Sequence, residues 1–248
     1  MNTSSTERHR VALRLGAVSL VLHLPAGADR VACVVACHGL RASKDSDKYL
    51  LLGDELTRAG LALARFDFRG SGESEGLVEG ETTVASRVDD ALAVVAFLCK
   101  HARLDGGFGL LGSSMGGFVA LHARHALGDA IPVVTWNAPA SLAKLAASVA
   151  FEDTGLGTPF LVEFAGGRYA ETPAGIDRHL VIQSGADETV SVDHGRALHA
   201  RAREPRDLVI IPGADHRITD PDHRRQAVAL SLAWFEKHLR ARSIAALG

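Results

Sequence analysis

Ser114, Asp187 and His216 are the residues whose types and settings in this chain could do chemistry together. Ser114 stands in the stretch Leu110-Leu111-Gly112-Ser113-Ser114-Met115-Gly116-Gly117, with Gly112 and Gly116 two residues to either side. That spacing suits a serine at the tip of a tight turn between a strand and a helix, because side chains at both flanking positions would collide with the neighbouring elements. Ser113 is the rival nucleophile, but Leu111 and Met115 would then hold the glycine positions. A serine hydroxyl is a weak nucleophile near neutral pH and needs a base within hydrogen-bond reach.

Twelve histidines compete for the role of base. His216, in Pro212-Gly213-Ala214-Asp215-His216, directly follows a predicted strand, whereas His101, His122 and His125 lie on helical stretches and read as surface or core residues. Asp187 follows another predicted strand, and a carboxylate there can accept the imidazole Nδ1–H, fix the tautomer and stabilise the imidazolium. Glu188, Asp193 and Asp215 are its rivals; Asp193 falls in the next helix, and Asp215 adjoins His216 and should point away. An oxyanion hole needs two backbone N–H groups. One is expected from Met115, just after the nucleophile, and the other from Leu40 in His38-Gly39-Leu40, with Gly39 leaving room. His38 reads as a brace for that loop.

Such a set must be held by elements that end where its side chains sit. Residues 11–15 and 18–24 alternate well enough for a hairpin turning near Gly16. Residues 31–37 are an uninterrupted apolar, β-branched run, as expected of a central parallel strand covered on both faces. A helix is predicted over 48–59, closed by Gly60, and a strand over 61–66. The strongest helical pattern spans 81–102, where Val84, Val88, Leu92, Val95 and Leu98 recur at three and four residues. Strand 106–111 leads to Ser114; a helix follows to about Gly128, and 131–136 is another strand. From about 139 to 177 the alternation fails, and this stretch reads as a short cap insertion over the sheet's functional edge. Strands at 179–183 and 207–211 and helices at 192–203 and 223–240 complete an α/β chain. Its sheet should be mostly parallel with helices on both faces and functional loops at the carboxyl ends of the strands.

The 248 residues, 47% hydrophobic and 23% charged, suit one domain over 1–248. A net charge of -2 gives no reason to expect nucleic acid or an anionic membrane as partner. The polar opening lacks the apolar core of a signal peptide, and the longest apolar run, 91–99, is far below the roughly 18 residues of a membrane span. A soluble, cytoplasmic protein is expected. Cys33 and Cys37 share a predicted strand at i, i+4, roughly 13 Å apart, too far for a disulfide. With Cys99 they read as small hydrophobes, and no cysteine–histidine spacing fits zinc. No metal and no cofactor is expected.

Over about residues 30–240 the chain resembles the α/β-hydrolase superfamily. The resemblance rests on His38-Gly39, Arg65-x-Asp67-x-Arg69-Gly70-x-Gly72-x-Ser74, Gly112-x-Ser114-x-Gly116, Asp187-x-x-Val190 and Gly213-x-x-His216. Residues 38–44 look like the loop of small esterases and serine-peptidase-like hydrolases, including cinnamoyl and feruloyl esterases. The chain departs from them at Gln183-Ser184, where they often carry His-Gly, and at Ser191, where proline is usual. The resemblance implies the α/β-hydrolase fold, a structural role for Asp67 and Arg69, and a serine hydrolase. Its expected reaction cleaves a small-molecule carboxylic ester of a small acyl or aromatic acid through an acyl-enzyme. A thioesterase or aminoacyl/peptide hydrolase would use the same triad, and a non-catalytic binding protein is the alternative of a different class. Phe151, Leu156, Phe160, Leu161, Phe164 and Tyr169 of the insertion are expected either to line the substrate pocket or merely to pack the insertion down. Arg41, Lys44 and Arg168 could favour an acidic substrate, against the reading of solvated surface charge.

Overall fold

The computed structural model describes residues 4–27, 30–128, 131–146 and 155–245. Eight strands form one sheet in the order β1-β2-β4-β3-β5-β6-β7-β8. β1 (Ser5–Ala12) and β2 (Ala17–Leu24) are antiparallel to each other, and β2 is antiparallel to β4 (Ala62–Phe66). Every other neighbour, through β3 (Val31–Cys37), β5 (Leu104–Ser113), β6 (Val133–Trp136), β7 (His179–Ser184) and β8 (Arg206–Ile211), pairs in parallel. β1 begins at Ser5 rather than at residue 11. Its outer residues are mostly exposed, so an edge strand of this kind carries little apolar alternation to read.

The central strands bury both faces, and their residues sort by parity. Cys33, Val35, Cys37 and Leu110 join one core, with Phe118 and Leu121 of α4 (Met115–Leu127) and Val84 and Val88 of α3 (Val84–Leu98). Val34, Ala36 and Leu111 join the other, with Leu52 and Leu56 of α1 (Asp47–Arg58) and Phe235 of α8 (Pro221–Ala245). The result is a three-layer α/β architecture with the strand ends β3, β5, β6, β7 and β8 at one rim. Phe235 lies so close to β5 that a Cβ on Gly109 would come within 2.7 Å of its ring.

The helix expected over 81–102 is two helices. α2 (Val78–Glu81) stops at Thr82, whose ψ of 112° is extended. Thr83 then starts α3 with a reciprocal cap: its Oγ accepts from Ser86 N–H, and Ser86 Oγ accepts from Thr83 N–H, both at 2.9 Å. The apolar stripe is read correctly, but it could not show that local caps and a distant carboxylate would set the start. That carboxylate is Glu163 of α6 (Thr158–Ala165), which accepts from Val84 N–H at 2.6 Å and Ala85 N–H at 2.9 Å. A carboxylate suits the partial positive charge of a helix N-terminus. α1 ends as expected, with Gly60 at φ +83° and Leu61 N–H donating to Leu56 O at 2.9 Å.

Between β6 and β7 lie α5 (Leu142–Ala146) and α6. Leu156 and Phe160 are buried in the main core, and Phe164 and Tyr169 pack against it. Leu161 is exposed, and Phe151 lies outside the described residues. Among the described residues, no helix is long and apolar enough to cross a membrane.

Candidate active site

Ser114 sits at φ 55°, ψ −129°, between the last residue of β5 and the first of α4. A positive φ is uncommon for a residue with a side chain. Packing holds it there: Ser114 N–H donates to Trp136 O at 2.8 Å, while its carbonyl accepts from Gly117 and Phe118 N–H at 2.9 and 3.2 Å. The glycines are a steric requirement. A Cβ on Gly112 would run into the Gly116 carbonyl, and one on Gly116 would run into the Cys37 and His38 carbonyls. Both obstacles are backbone, which cannot swing away.

The loop after β7 supplies Asp187, whose side chain is fully buried. One oxygen accepts from Thr189 and Val190 N–H at 2.9 and 2.7 Å, and the other meets His216 Nδ1 at 2.7 Å. The carboxylate can only accept, so Nδ1 carries the proton. His216 Nε2 is then an acceptor for the Ser114 hydroxyl, 3.1 Å away. The rivals lie elsewhere. Asp215 accepts from the Thr219 backbone N–H at 2.8 Å, Asp193 is exposed and pairs with Arg196, and Glu188 is exposed.

Two supporting residues escaped the reading of the sequence. Asn137, fully buried at the end of β6 with φ 52°, donates to Ser184 Oγ and to His216 O, both at 2.9 Å, and accepts from Ser184 N–H at 2.7 Å. It ties the histidine loop to β7. Gln183 donates to Val190 O at 2.8 Å, bracing the aspartate turn. Gln183 and Ser184, two of the positions that depart from the esterase pattern, thus help hold Asp187 and His216 in place. An asparagine or glutamine at a strand's carboxyl end is the only local signal for this, and it is weak because neither partner is near in sequence.

His38 is buried and braces its loop as expected. Its Nε2 accepts from Phe68 N–H at 3.2 Å, so Nδ1 donates to Gly39 O at 2.7 Å. Burial and the Arg87 guanidinium push its pKa down to about 3, so the ring is neutral at physiological pH. Gly39 lies against Ser114; a Cβ there would be 3.2 Å from Ser114 Cβ. The amides of Leu40 and Met115 have no hydrogen-bond partner among the described residues. Asp67 accepts from the backbone of Lys44 and Glu73 at 2.8 and 3.0 Å, and Arg69 grips Asp90, so both serve the scaffold.

A cleft of about 540 Å³ opens beside Ser114 and His216. Its walls come from the loop after β3, the start of α1 and the segment after His216. No residue of the β6–β7 connection lines it among the described residues, which corrects the expectation that Leu156, Phe160, Leu161, Phe164 and Tyr169 form the pocket. α6 is instead held down against α2 and α3 by Glu163 and by Gly157, whose Cα faces the Glu79 carbonyl too closely for any side chain. Two of the three basic residues suspected of facing substrate do not line this cleft. Lys44 is buried with Asp67, and Arg168 stacks on Tyr169 at 5.0 Å; only Arg41 lines the cleft.

The strand order and the serine turn are those of the α/β-hydrolase fold. Residues 28–156, just over half of the chain, match the family described as serine aminopeptidase, S33, and the chain belongs to that family. The structure is similar to Est1E from Butyrivibrio proteoclasticus, with a TM-score of 0.77 at 17% identity over 94% of this chain and 99% of that one. It is also similar to dienelactone hydrolase from Anabaena variabilis (TM-score 0.70, 19% identity, 95% and 99% covered). A Xanthomonas campestris serine hydrolase described as lacking a lid gives 0.71 at 21% identity, with 95% of each chain covered. At such identities the likeness establishes the fold. An uncharacterized 31.7 kDa Escherichia coli protein from the traX-finO intergenic region is 31% identical over 111 residues. The match covers 43% of this chain and 37% of that relative's length.

Proposed function

We propose that the protein is a serine hydrolase that cleaves carboxylic esters of small acyl or aromatic acids through an acyl-enzyme. One observation carries the reading: the line Ser114 Oγ, His216 Nε2 at 3.1 Å, and His216 Nδ1 to Asp187 at 2.7 Å. Ser114 Oγ attacks the ester carbonyl carbon while its proton passes to His216 Nε2. Asp187 keeps the ring oriented and stabilises the imidazolium. The Leu40 and Met115 amides, both without other partners, take the oxyanion. When the tetrahedral adduct collapses, the ester C–O bond breaks and the alcohol leaves with the proton from Nε2. Water then attacks the acyl-enzyme, gives a proton to His216, and the acid departs as Ser114 recovers its hydrogen. The same reading treats the chain as one domain with residues 139–177 as a short cap.

The family's description favours a second reading, release of an amino-terminal residue from a peptide. Such a substrate brings a free ammonium, which needs a carboxylate to receive it. Among the described residues Asp47 is the one carboxylate of the cleft, and Arg224 lies 3.4 Å from it. A cationic wall therefore favours esters over amino-terminal amides. Ser114→Ala should lower ester turnover by roughly a millionfold, the scale seen for loss of a triad nucleophile, and should abolish labelling by a fluorophosphonate. Undiminished hydrolysis by that variant would overturn the assignment, and faster cleavage of aminoacyl anilides than of matched p-nitrophenyl esters would replace the ester reading with the peptidase one.

A further inference from the structure

Several cations drawn in from solvent are matched by carboxylates; among the described residues Arg87, buried in the core against the Phe68 ring, and Lys48, in the cleft, are not. Lys44 meets Asp67 and Glu73, Arg69 meets Asp90, and Arg124 meets Asp177. Lys48, half-buried in the first turn of α1, has no carboxylate partner among the described residues. Its ammonium donates to Ser113 Oγ at 2.7 Å and lies 5.5 and 6.0 Å from the ring centres of Tyr49 and Trp136. Ser113 is the neighbour of the nucleophile, and Lys48, Ser113 and Ser114 all line the same cleft.

The surroundings add positive charge instead of removing it. Arg217, next to His216, and Arg224 line the cleft as well, and Arg217 has no ion-pair partner among the described residues. Arg224 is already engaged with Asp47 and with the carbonyls of Ile218 and Thr219. Burial, then Arg217 and Arg224, pull the Lys48 ammonium down to about 8, against the opposing pull of Asp215. Removing an ion from water without a counter-charge costs several kcal/mol. A site that retains such an arrangement beside a nucleophile has a ready place for an anion brought from outside.

We propose that Lys48 and Arg217 form an anion subsite in the cleft, and that the ester cleaved at Ser114 carries a carboxylate or phosphate a short reach from its reacting carbonyl. The proposal rests on the hydrolase reading above and deepens it by naming the substrate's charge. In it, Lys48 supplies a point charge close to the serine, with Ser113 Oγ holding the ammonium in place, while exposed Arg217 meets the substrate at the mouth. A charge-assisted hydrogen bond of this kind contributes about ten- to hundredfold in affinity.

The test is a matched panel on the intact protein. p-Nitrophenyl hemiglutarate is compared with p-nitrophenyl valerate, which has the same chain length without the carboxylate. 3-Acetoxypropyl phosphate is compared with propyl acetate, so the two arms separate carboxylate from phosphate recognition. In at least one arm the wild type should prefer the anionic ester by tenfold or more in kcat/KM, and the preference should weaken with added salt. Lys48→Met, which keeps the apolar stem, should cut that anionic-to-neutral ratio about tenfold, with the loss in KM; Lys48→Arg should restore part of it, and Arg217→Gln should cut it less. Equal turnover of anionic and neutral esters by the wild type, or a Lys48→Met ratio equal to the wild type's, overturns the subsite. Fluorophosphonate labelling of Ser114 separates the two failures. Labelling with neutral-ester turnover but no anionic preference removes only the subsite, whereas no labelling and no turnover of any ester removes the hydrolase reading itself.

Discussion

Lys44, in the loop before α1, and Lys48, in its first turn, stand four residues apart, and the fold treats them oppositely. Lys44 is buried against the β4 side, where its ammonium donates to Asp67 at 2.7 Å, Glu73 at 2.8 Å and Asp45 at 3.1 Å. Burial alone would lower its pKa, but the three carboxylates outweigh it and raise it. Lys48 points to the other side, towards Ser113 and the cleft, with no carboxylate partner among the described residues, and its pKa falls to about 8. The comparison separates a charge that holds the scaffold from a charge left open for a ligand. The first kind is costly to break, because its partner is stranded without water. The second costs stability while empty and is useful only if something fills it.

The largest effect should come from breaking the closed pair. Asp67→Asn keeps the shape of the side chain but leaves the Lys44 ammonium underpaired in a buried site, and should cost about 3–5 kcal/mol of stability. Denaturant titration measures it. A loss below about 1 kcal/mol would mean that Glu73 and Asp45 suffice, and the contrast between the two lysines would shrink. Lys48→Met should do far less harm, staying within about 1 kcal/mol of the wild type or exceeding it, since it removes a charge that no carboxylate among the described residues offsets. A loss as large as that of Asp67→Asn would show that Lys48 serves the scaffold too.

The smallest effect is a dependence on pH. An unfolded lysine titrates near about 10.4, above the value of about 8 in the folded protein. Between those values the unfolded chain binds more protons at this position, so the contribution of Lys48 to stability rises with pH. Its penalty is fully present below pH 8 and is relieved by pH 10. Arg217, Arg224 and Asp215 face the same ammonium, so the informative quantity is a difference. Any stability advantage of Lys48→Met over the wild type should narrow as melting temperatures are followed from pH 8 to 10. An advantage that widens over that interval would reverse the sign of the shift assigned to Lys48.

The legible parts of this protein were those governed by near neighbours. The uninterrupted run of β3 is buried on both faces, and the alternation of strands and helices became the layered sheet. Gly112 and Gly116 could be read as steric necessities because the backbone they admit belongs to the same turn and to the strand beside it. Ser114, His216 and Asp187 each follow a strand as the sequence placed them, and His216 lies within hydrogen-bond reach of both the others. The start of α3 and the lining of the cleft were not legible. Glu163 is 79 residues from Val84, whose amide it caps, and no periodicity encodes a contact of that span.

What the amino-acid sequence determined by itself was the serine turn, the strand–helix rhythm and the order serine, aspartate, histidine along the chain. Those follow from backbone sterics and from side chains that repeat every two or three to four residues. Only the tertiary structure decided which of two nearby lysines would be neutralised, that Asn137 and Gln183 would brace the loops carrying His216 and Asp187, and that α6 would close on α3 instead of the cleft. Burial and charge pairing are made between segments far apart in the chain. The same residue type therefore becomes scaffold or site according to what the fold brings to face it.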